Sequence, residues 1–387
     1  MKMLFITFYF EPDLSAGSFR NTSLFNEIKK QIKSGDSIEV ITTQPNRYES
    51  YNIDADTIEE SNNIIIRRLK IPKHKNGILS QIKTFRSFYF EALNLTKNKK
   101  YDIVYASSSR LFSAFLGARI ANRMKAKLYL DIRDIFRENM LEIYKNPILR
   151  LTLNIFLYPI EKYTFTSAKH INLVSNGFRS YFSKYKTELT FFTNGIDDIF
   201  LKPHPNQTIT SINDKKLILY AGNVGEGQGL DLIIPTLAKS LGDNYKFKII
   251  GDGGVKFKLV SEIEKQGIEN VELLPPVSRE RLIEEYSKAD FLFIHLNKYK
   301  AFEKVLPSKL FEYACFNKPI IAGVGGYAAE FLRENVENSI IFEPGNSEML
   351  ILKMKEYNYK TISRVSFIQK YSRRSINEKM VKSIISL

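Results

Sequence analysis

Short apolar runs alternate with amphipathic stretches along most of the chain. In the first half, Met3–Tyr9, Ser37–Thr43, Ile64–Leu69, Tyr101–Ala106, Lys127–Asp131, His170–Val174 and Thr190–Thr193 have the length and composition of buried strands. Between them, apolar positions three and four apart predict helices over Asn21–Lys33, Ile78–Thr96, Ser113–Met124 and Pro147–Thr166. Glu11–Arg20, with Pro12, Gly17 and Ser18, reads as a loop. A second series follows the same rhythm. Strands are expected at Leu217–Ala221, Lys246–Gly251, Val271–Leu274, Phe291–His295, Ile320–Ala322 and Ser339–Glu343. Helices are expected at Gly229–Leu241, Val255–Gln266, Ser278–Ser287 and Ala328–Asn335, and a basic helix over Thr361–Ser386. This alternation predicts an α/β protein of two doubly wound, Rossmann-like domains. The pattern pauses at Asn194–Lys216, so residues 1–195 form a first domain, 196–216 a linker and 217–364 a second domain. The tail, residues 365–387, is long enough to return to the first domain. Two such domains facing each other leave a cleft at the carboxyl ends of their strands, where folds of this class bind ligands.

One stretch concentrates candidate chemistry. In Val305–Gly323, Pro307 and Ser308 lead into a helix expected to run to Asn317. Lys309 and Glu312, three apart, share one face of it. A cation in the first turn of a helix suits a phosphate-bearing ligand, and a carboxylate beside it suits sugar hydroxyls. An ordinary surface Lys–Glu pair explains the same residues. Further loops expected at strand ends are Asp131–Asn139, Gly222–Gly229, Gly251–Gly254, Pro275–Val277 and Ala301–Lys309.

Composition narrows the classes. The chain has 387 residues, 44% hydrophobic and 26% charged, enough for two folded domains. Cys315, the single cysteine, excludes an internal disulfide. The four histidines lack metal-ligand spacing, so no metal is expected. The opening MKMLFITFYF reads as a first strand rather than a leader, and no apolar run is long enough to span a bilayer. Cytoplasmic residence follows as the expectation. The net charge is +15, and residues 61–100 hold ten basic residues against Glu91 alone. Without a nucleic-acid-binding signature, an anionic membrane surface or a phosphate-bearing substrate is the partner expected. The Pro147–Thr166 helix, with Leu149, Leu151, Leu153, Ile155, Phe156 and Leu157, is either a core helix or a membrane-docking one.

The strings FEPDLSAGSFR, LDIRDIF, TNGID, YAGNVGEGQGLD, IIGDGG, LLPPVSRERLIEEYSKAD and LPSKLFEYACFNKPIIAG together resemble the retaining GT-B glycosyltransferases of family 4. The likeness covers nearly the whole chain and is strongest to the O-antigen and capsule branch, where it is similar to L-fucosamine transferases. It implies a GT-B fold, with an acceptor-binding first domain and a second domain that binds the nucleotide sugar. Gly17 and Ser18, supported by Arg20, would approach the donor phosphates or the acceptor. Gly222 and Asn223 would lie under the diphosphate, with Gln228 nearby. Gly251, Asp252, Gly253 and Val277 would surround the base. Pro307, Ser308 and Lys309 would hold the diphosphate, with Lys304 assisting, Glu312 the ribose, and the segment from Gly326 to Glu330 would border the nucleotide. Lys309, Asp131 and Glu303 are the candidate catalytic residues. The chain departs from the common pattern in three places. Lys304 stands where a glutamate is usual, with Glu303 beside it. Asn223 and Gln228 occupy a loop that usually carries Arg and Lys. Asp131 stands where a histidine is frequent.

The resemblance implies transfer of a sugar, of N-acetylated amino or deoxyamino type, from a UDP-sugar to a lipid-linked oligosaccharide on a polyprenyl diphosphate. The enzyme would be of the hexosyltransferase type, need no cofactor, and sit peripherally on the inner face of the cytoplasmic membrane. Two alternatives remain at this point: a UDP-sugar 2-epimerase of the same fold, and a non-catalytic sugar-nucleotide- or glycan-binding subunit.

Overall fold

The computed structural model describes residues 1–46, 53–72, 78–108, 111–144, 146–201 and 215–387. The chain divides into two compact units, Met1–Asn194 with Arg373–Leu387, and Gly195–Ser372.

The first unit is built on β1 (Lys2–Ile6), α1 (Ala16–Gln31), β2 (Ser37–Thr43), β3 (Ile58–Ser61), β4 (Ile64–Leu69), α2 (Ile78–Leu95), β5 (Ile103–Ser108), α3 (Leu111–Met124), β6 (Lys127–Ile132), α4 (Phe136–Ile143), α5 (Pro147–Thr166), β7 (His170–Leu173), α6 (Arg179–Phe182) and β8 (Glu188–Thr190). Its strands lie in the order β3-β4-β2-β1-β5-β6-β7-β8. All pair in parallel except β3, which runs antiparallel to β4. The central strands are apolar because both faces are covered, and Met3, Phe5, Val40, Tyr105 and Tyr129 are buried.

Two loops differ from the sequence expectation, and the structure decides whether the Pro147–Thr166 helix is buried. The loop expected over Glu11–Arg20 ends early. The Ser15 side chain accepts from the Ser18 N–H and starts α1 at Ala16, so Gly17, Ser18 and Arg20 lie in a helix. The loop expected over Asp131–Asn139 gives way to α4 at Phe136. The greasy helix is a surface element. Within α5 only Leu157, Glu161, Thr164 and Phe165 are buried, while Ile148, Leu151, Ile155 and Phe156 are exposed.

The second unit contains β9 (Lys216–Asn223), α7 (Leu230–Leu241), β10 (Tyr245–Asp252), α8 (Lys256–Lys265), β11 (Val271–Leu274), α9 (Arg279–Lys288), β12 (Phe291–His295), α10 (Lys309–Tyr313), β13 (Ile320–Gly323), α11 (Gly326–Asn335), β14 (Ser339–Phe342), α12 (Ser347–Glu356) and α13 (Val365–Lys370). Its sheet is wholly parallel, in the order β11-β10-β9-β12-β13-β14. The expected linker falls largely outside the described residues. Ile196 and Phe200, at its start, are buried in the core of this unit. The tail is two helices rather than one. α13 remains with the second unit because Phe367 packs on Phe311 and Phe331. The last helix, α14 (Arg373–Ile385), returns to the first unit, where Met380, Val381 and Ile384 are buried beside Met3, Phe5 and Phe25.

Candidate functional site

In the second unit the expected donor residues gather at the carboxyl edge of the sheet. β9 and β10 end in register, Gly222 opposite Gly251 and Asn223 opposite Asp252. A Cβ on Gly251 would lie 1.8 Å from the Gly222 carbonyl oxygen, so the two strands close only over a glycine. The loop after β9 is fixed from several sides. The Asn223 amide donates to Gln228 Oε1 at 2.7 Å, and Asn297 Nδ2 donates to the Glu226 carbonyl at 3.0 Å. His295, at the end of β12, bridges two loops. Its Nδ1 lies 2.6 Å from the Gln228 carbonyl, and its Nε2 accepts from the Gly345 N–H at 3.0 Å. Both contacts require a neutral ring with the proton on Nδ1. Burial lowers its pKa to about 4.

Lys309 begins α10. Its Nζ donates to Glu312 Oε2 at 3.0 Å and lies 3.3 Å from the Tyr286 hydroxyl, which itself donates to Glu312 Oε2 at 3.1 Å. The side chains of Lys309 and Glu312 remain partly exposed, at 25% and 13%. Two partly exposed opposite charges, held by a buried tyrosine, can open toward a ligand without unfolding anything. Gly222 belongs to the same group, since a Cβ there would meet Lys309 Cε at 3.1 Å. Tyr286 was not legible as a site residue. It lies on the buried face of α9, where a tyrosine reads as core, and burial followed by the nearby Glu312 raises its pKa well above the usual value. The helix itself is shorter than expected, closing at Tyr313, and Ser308 makes no side-chain cap. A single turn of helix has little dipole, so the site's positive charge is Lys309 itself.

The remaining expected residues are more dispersed. Asp252 Oδ1 accepts from the Gly253 N–H at 2.8 Å and shapes that turn. Val277 is partly buried and packs against the core of this unit. Glu303 and Lys304 lie in the 3₁₀ turn Lys300–Lys304, with Glu303 exposed and its backbone against Gly326. Glu330 is exposed on α11. Pro307 and Ser308 contribute carbonyls to the turn that starts α10.

In the first unit the structure assigns Arg20 and Asp131 a different role from the one expected. They pair with each other in the interior. Arg20 Nε and Nη2 donate to Asp131 Oδ2 and Oδ1 at 2.8 and 2.9 Å, with side-chain exposures of 1% and 0%. Arg20 also donates to the Thr193 and Phe192 carbonyls, at 2.7 and 2.9 Å. Asp131 also accepts from Asn172 Nδ2 at 2.7 Å and the Tyr105 hydroxyl at 3.2 Å. Burial alone would raise the carboxyl pKa, but Arg20 and Asn172 outweigh it and hold it below the usual range. Every polar atom of the pair is occupied by protein, so neither reaches a donor or acceptor substrate. It is an internal brace. Gly17 and Ser18 lie in the first turn of α1, with the Arg133 guanidinium over Gly17.

A cavity of about 510 Å³ lies at the opposite, amino end of the first sheet, between Lys2, Ser37, Asn63 and Lys99. Its carboxylate, Glu39, is already satisfied by Lys99, Arg67 and Tyr101. Among the described residues no three His, Cys, Asp or Glu are grouped to hold a metal ion. No described helix is long and apolar enough to cross a membrane.

Comparison with known proteins follows this division. Residues 206–374 match the model of the glycosyl transferases group 1. The chain is 35% identical over 98 residues to WcaI of Escherichia coli (strain K12), named for colanic acid biosynthesis, covering 25% of this chain and 24% of that protein. It is 23% identical over 216 residues to WbjE of Pseudomonas aeruginosa, named as a glycosyltransferase, covering 52% of each. The chain thus spans a quarter to about half the length of these relatives. Among solved structures, HepE of Anabaena with UDP and glucose superposes with a TM-score of 0.71 at 17% identity, over 100% of both chains. WaaG, a glycosyltransferase involved in lipopolysaccharide biosynthesis, does so with a TM-score of 0.72 at 16% identity, over 99% of both chains. Residues 206–374 carry the glycosyl transferases group 1 signature, and the chain as a whole has the GT-B fold.

Proposed function

We propose that the protein is a retaining glycosyltransferase that moves a sugar from a UDP-sugar to a lipid-linked oligosaccharide in O-antigen or capsule biosynthesis. The observation that carries this reading is the Lys309–Glu312–Tyr286 group beside Gly222, inside the segment that matches the group 1 model. The polysaccharide context is supported by the names of WcaI and WaaG, and the uridine donor by the UDP held in HepE. An N-acetylated amino or deoxyamino sugar is the class we assign to the donor, on the sequence resemblance.

In this reading the donor displaces one salt bridge with another. Lys309 leaves Glu312 for the diphosphate, and Glu312, still held by Tyr286, accepts from the ribose hydroxyls. The bond between the sugar C1 and the leaving phosphate oxygen breaks as the acceptor oxygen bonds to C1 from the same face. The acceptor proton passes to the departing phosphate oxygen, so UDP leaves and the glycoside forms with retained configuration. Lys309 stabilises the charge that gathers on the diphosphate. Glu303, exposed in the turn before α10, is the carboxylate we assign to the sugar side. Asp131 and Arg20 take no part.

The acceptor lipid would bring the enzyme to a membrane surface. The exposed Ile148, Leu151, Ile155 and Phe156 of α5, with Ile82 and Phe90 of α2, support that docking. Arg86 and Arg150 lie on the same two helices, as an anionic membrane would require.

The first test is calorimetric titration of the full chain with UDP, GDP and ADP, followed by an assay for UDP release from UDP-sugars with a lipid-linked acceptor. Binding of UDP over the other two, with release of free UDP, is expected. One observation favours a second reading. Asn223 and Gln228 are bonded to each other where a cation pair is usual, which would suit a subunit that binds nucleotide sugars without turnover. UDP binding without release in the presence of any acceptor would select that reading, and return of an intact epimeric UDP-sugar would select an epimerase.

A further inference from the structure

His295 is a buried histidine for which the transfer reaction has no use. It ends β12 and is 2% exposed. The fold makes room for its ring. A Cβ on Gly323, the residue opposite it on β13, would lie 2.2 Å from His295 Cδ2, so a glycine there lets the imidazole rest on the neighbouring strand. Phe293 and Phe342 stand beside it. An apolar side chain would fill such a slot as packing. The imidazole instead joins two loops, through the Gln228 carbonyl and the Gly345 N–H. With its pKa lowered by burial, the ring is neutral at neutral pH and keeps the acceptor that the Gly345 N–H needs.

Gln228 closes the loop after β9, and the segment after β12 holds that loop along its length. The Asn297 N–H donates to the Gly227 carbonyl at 2.8 Å, and the Asn297 side chain to the Glu226 carbonyl at 3.0 Å. The Tyr299 hydroxyl donates to Glu226 Oε1 at 3.1 Å. The Phe302 ring lies against Gly227, where a Cβ would meet it at 3.1 Å. Asn297, Tyr299 and Phe302 are all partly exposed, and contacts open to water are the first to fluctuate. Of the side chains that grip the loop from this segment, only His295 is buried. Its hold on the Gln228 backbone reaches further, because Gln228 Oε1 accepts from Asn223 Nδ2, and Asn223 follows Gly222 beside Lys309.

We infer that His295 is a positioning residue for the nucleotide donor: its imidazole pins the loop after β9, so that Gly222 and Asn223 stand beside Lys309 before the diphosphate arrives. A loop ordered in advance spares the ligand the free energy of ordering it. His295 acts through Gln228 and touches no substrate. The inference rests on the reading of this edge as the donor site, and it adds a residue outside the donor contacts.

The test uses the full chain with two variants. His295→Phe keeps an aromatic ring and loses both hydrogen bonds. His295→Gln carries an amide that donates and accepts, as the neutral ring does. UDP affinity is measured by calorimetry well below the melting temperature of each protein, and initial rates are taken against both substrates. His295→Phe should weaken UDP about tenfold, the worth of one hydrogen bond, and raise the donor KM by the same factor, with kcat and the acceptor KM unchanged. His295→Gln should recover part of the loss. Linkage supplies a measurement that needs no variant. If the pinned loop favours UDP about tenfold, UDP favours the pinned loop by the same factor, so saturating UDP should slow hydrogen exchange of the wild-type Gly345 amide by up to about that much. A folded His295→Phe protein with wild-type UDP affinity overturns the inference, even where it melts lower. A loss that His295→Gln does not recover belongs to ring packing and overturns it too, as does Gly345 exchange that UDP leaves unchanged. Wild-type protein that binds no UDP overturns both this inference and the transferase reading, whereas UDP that is bound but never released in turnover removes the transferase reading alone.

Discussion

Replacing Asp131 by Asn separates a structural carboxylate from a catalytic one. In the native protein this carboxylate accepts four hydrogen bonds, two from Arg20 at 2.8 and 2.9 Å, one from Asn172 at 2.7 Å and one from Tyr105 at 3.2 Å. A carboxamide keeps one acceptor oxygen and turns an NH₂ toward donors, whichever way it is flipped. It also leaves the Arg20 charge, 1% exposed, without its counter-ion. Breaking a buried pair in this way costs about 3–5 kcal/mol. For a unit of this size that corresponds to a fall of about 6–20 °C in Tm. The assay is urea and thermal unfolding followed by circular dichroism, with UDP release measured on the same preparations. Asp131→Asn should unfold early and lose activity only in proportion to the folded fraction. The double variant Arg20→Met/Asp131→Leu, which removes both charges, should recover part of the loss. A variant of wild-type stability with abolished turnover would refute the argument and return Asp131 to the reaction. The pH dependence has a definite sign. With its folded pKa below the unfolded value near 3.9, Asp131 contributes stability fully above that pH, and the contribution is lost as pH falls through the folded value.

Three other outcomes follow from the geometry. Lys309→Ala should lower turnover by about 10²-fold or more, because the leaving diphosphate loses its cation, while the fold is retained; initial rates and a melting curve check this, and unchanged turnover removes Lys309 from the site. His295, with its pKa lowered to about 4 from 6.5, must stay neutral in the folded state, so the unfolded chain binds more protons between these values. Stability should therefore be complete above pH 6.5 and fall by about 3 kcal/mol toward pH 4, with urea midpoints across that range as the measurement. Ile155→Asp with Phe156→Asp, both at exposed positions, should leave the Tm unchanged and reduce flotation with anionic phosphatidylglycerol vesicles; equal flotation of both proteins would sink the membrane assignment of α5.

Local chemistry was legible in the sequence wherever it was decided by neighbours along the chain. The limits of α5 are readable from Asn146, whose side chain caps the Ile148 and Leu149 N–H groups, and from Pro147 in the first turn. Its environment was not, because apolar residues all round a helix read equally as core or as an unpartnered surface. The strand β3 was missed because its residues, IEES, are all exposed and carry no alternation. Lys309 and Glu312 were readable as a pair from their spacing alone. Tyr286, which completes the group, comes from another helix, and only the fold brings its hydroxyl there. The same holds for Arg20 and Asp131, whose pairing spans 111 positions. A buried arginine and a substrate-binding arginine look alike in a sequence, and only the fold shows that Arg20 has found its carboxylate.

The return of α14 sets an order for the birth of the protein. The core of the first unit includes Met380, Val381 and Ile384, and Met380 Sδ lies 3.5 Å from Arg20 Nη2, beside the buried pair. Arg373 Nε donates to the Asn194 carbonyl, fastening the same helix where the first unit otherwise ends. As the chain leaves the ribosome, the first unit therefore waits, incomplete, while the whole of the second is made. The part begun first is the part finished last. A fragment stopping at residue 194 would keep a hole where α14 belongs, and any early stop codon near the end of the gene would damage the beginning of the fold.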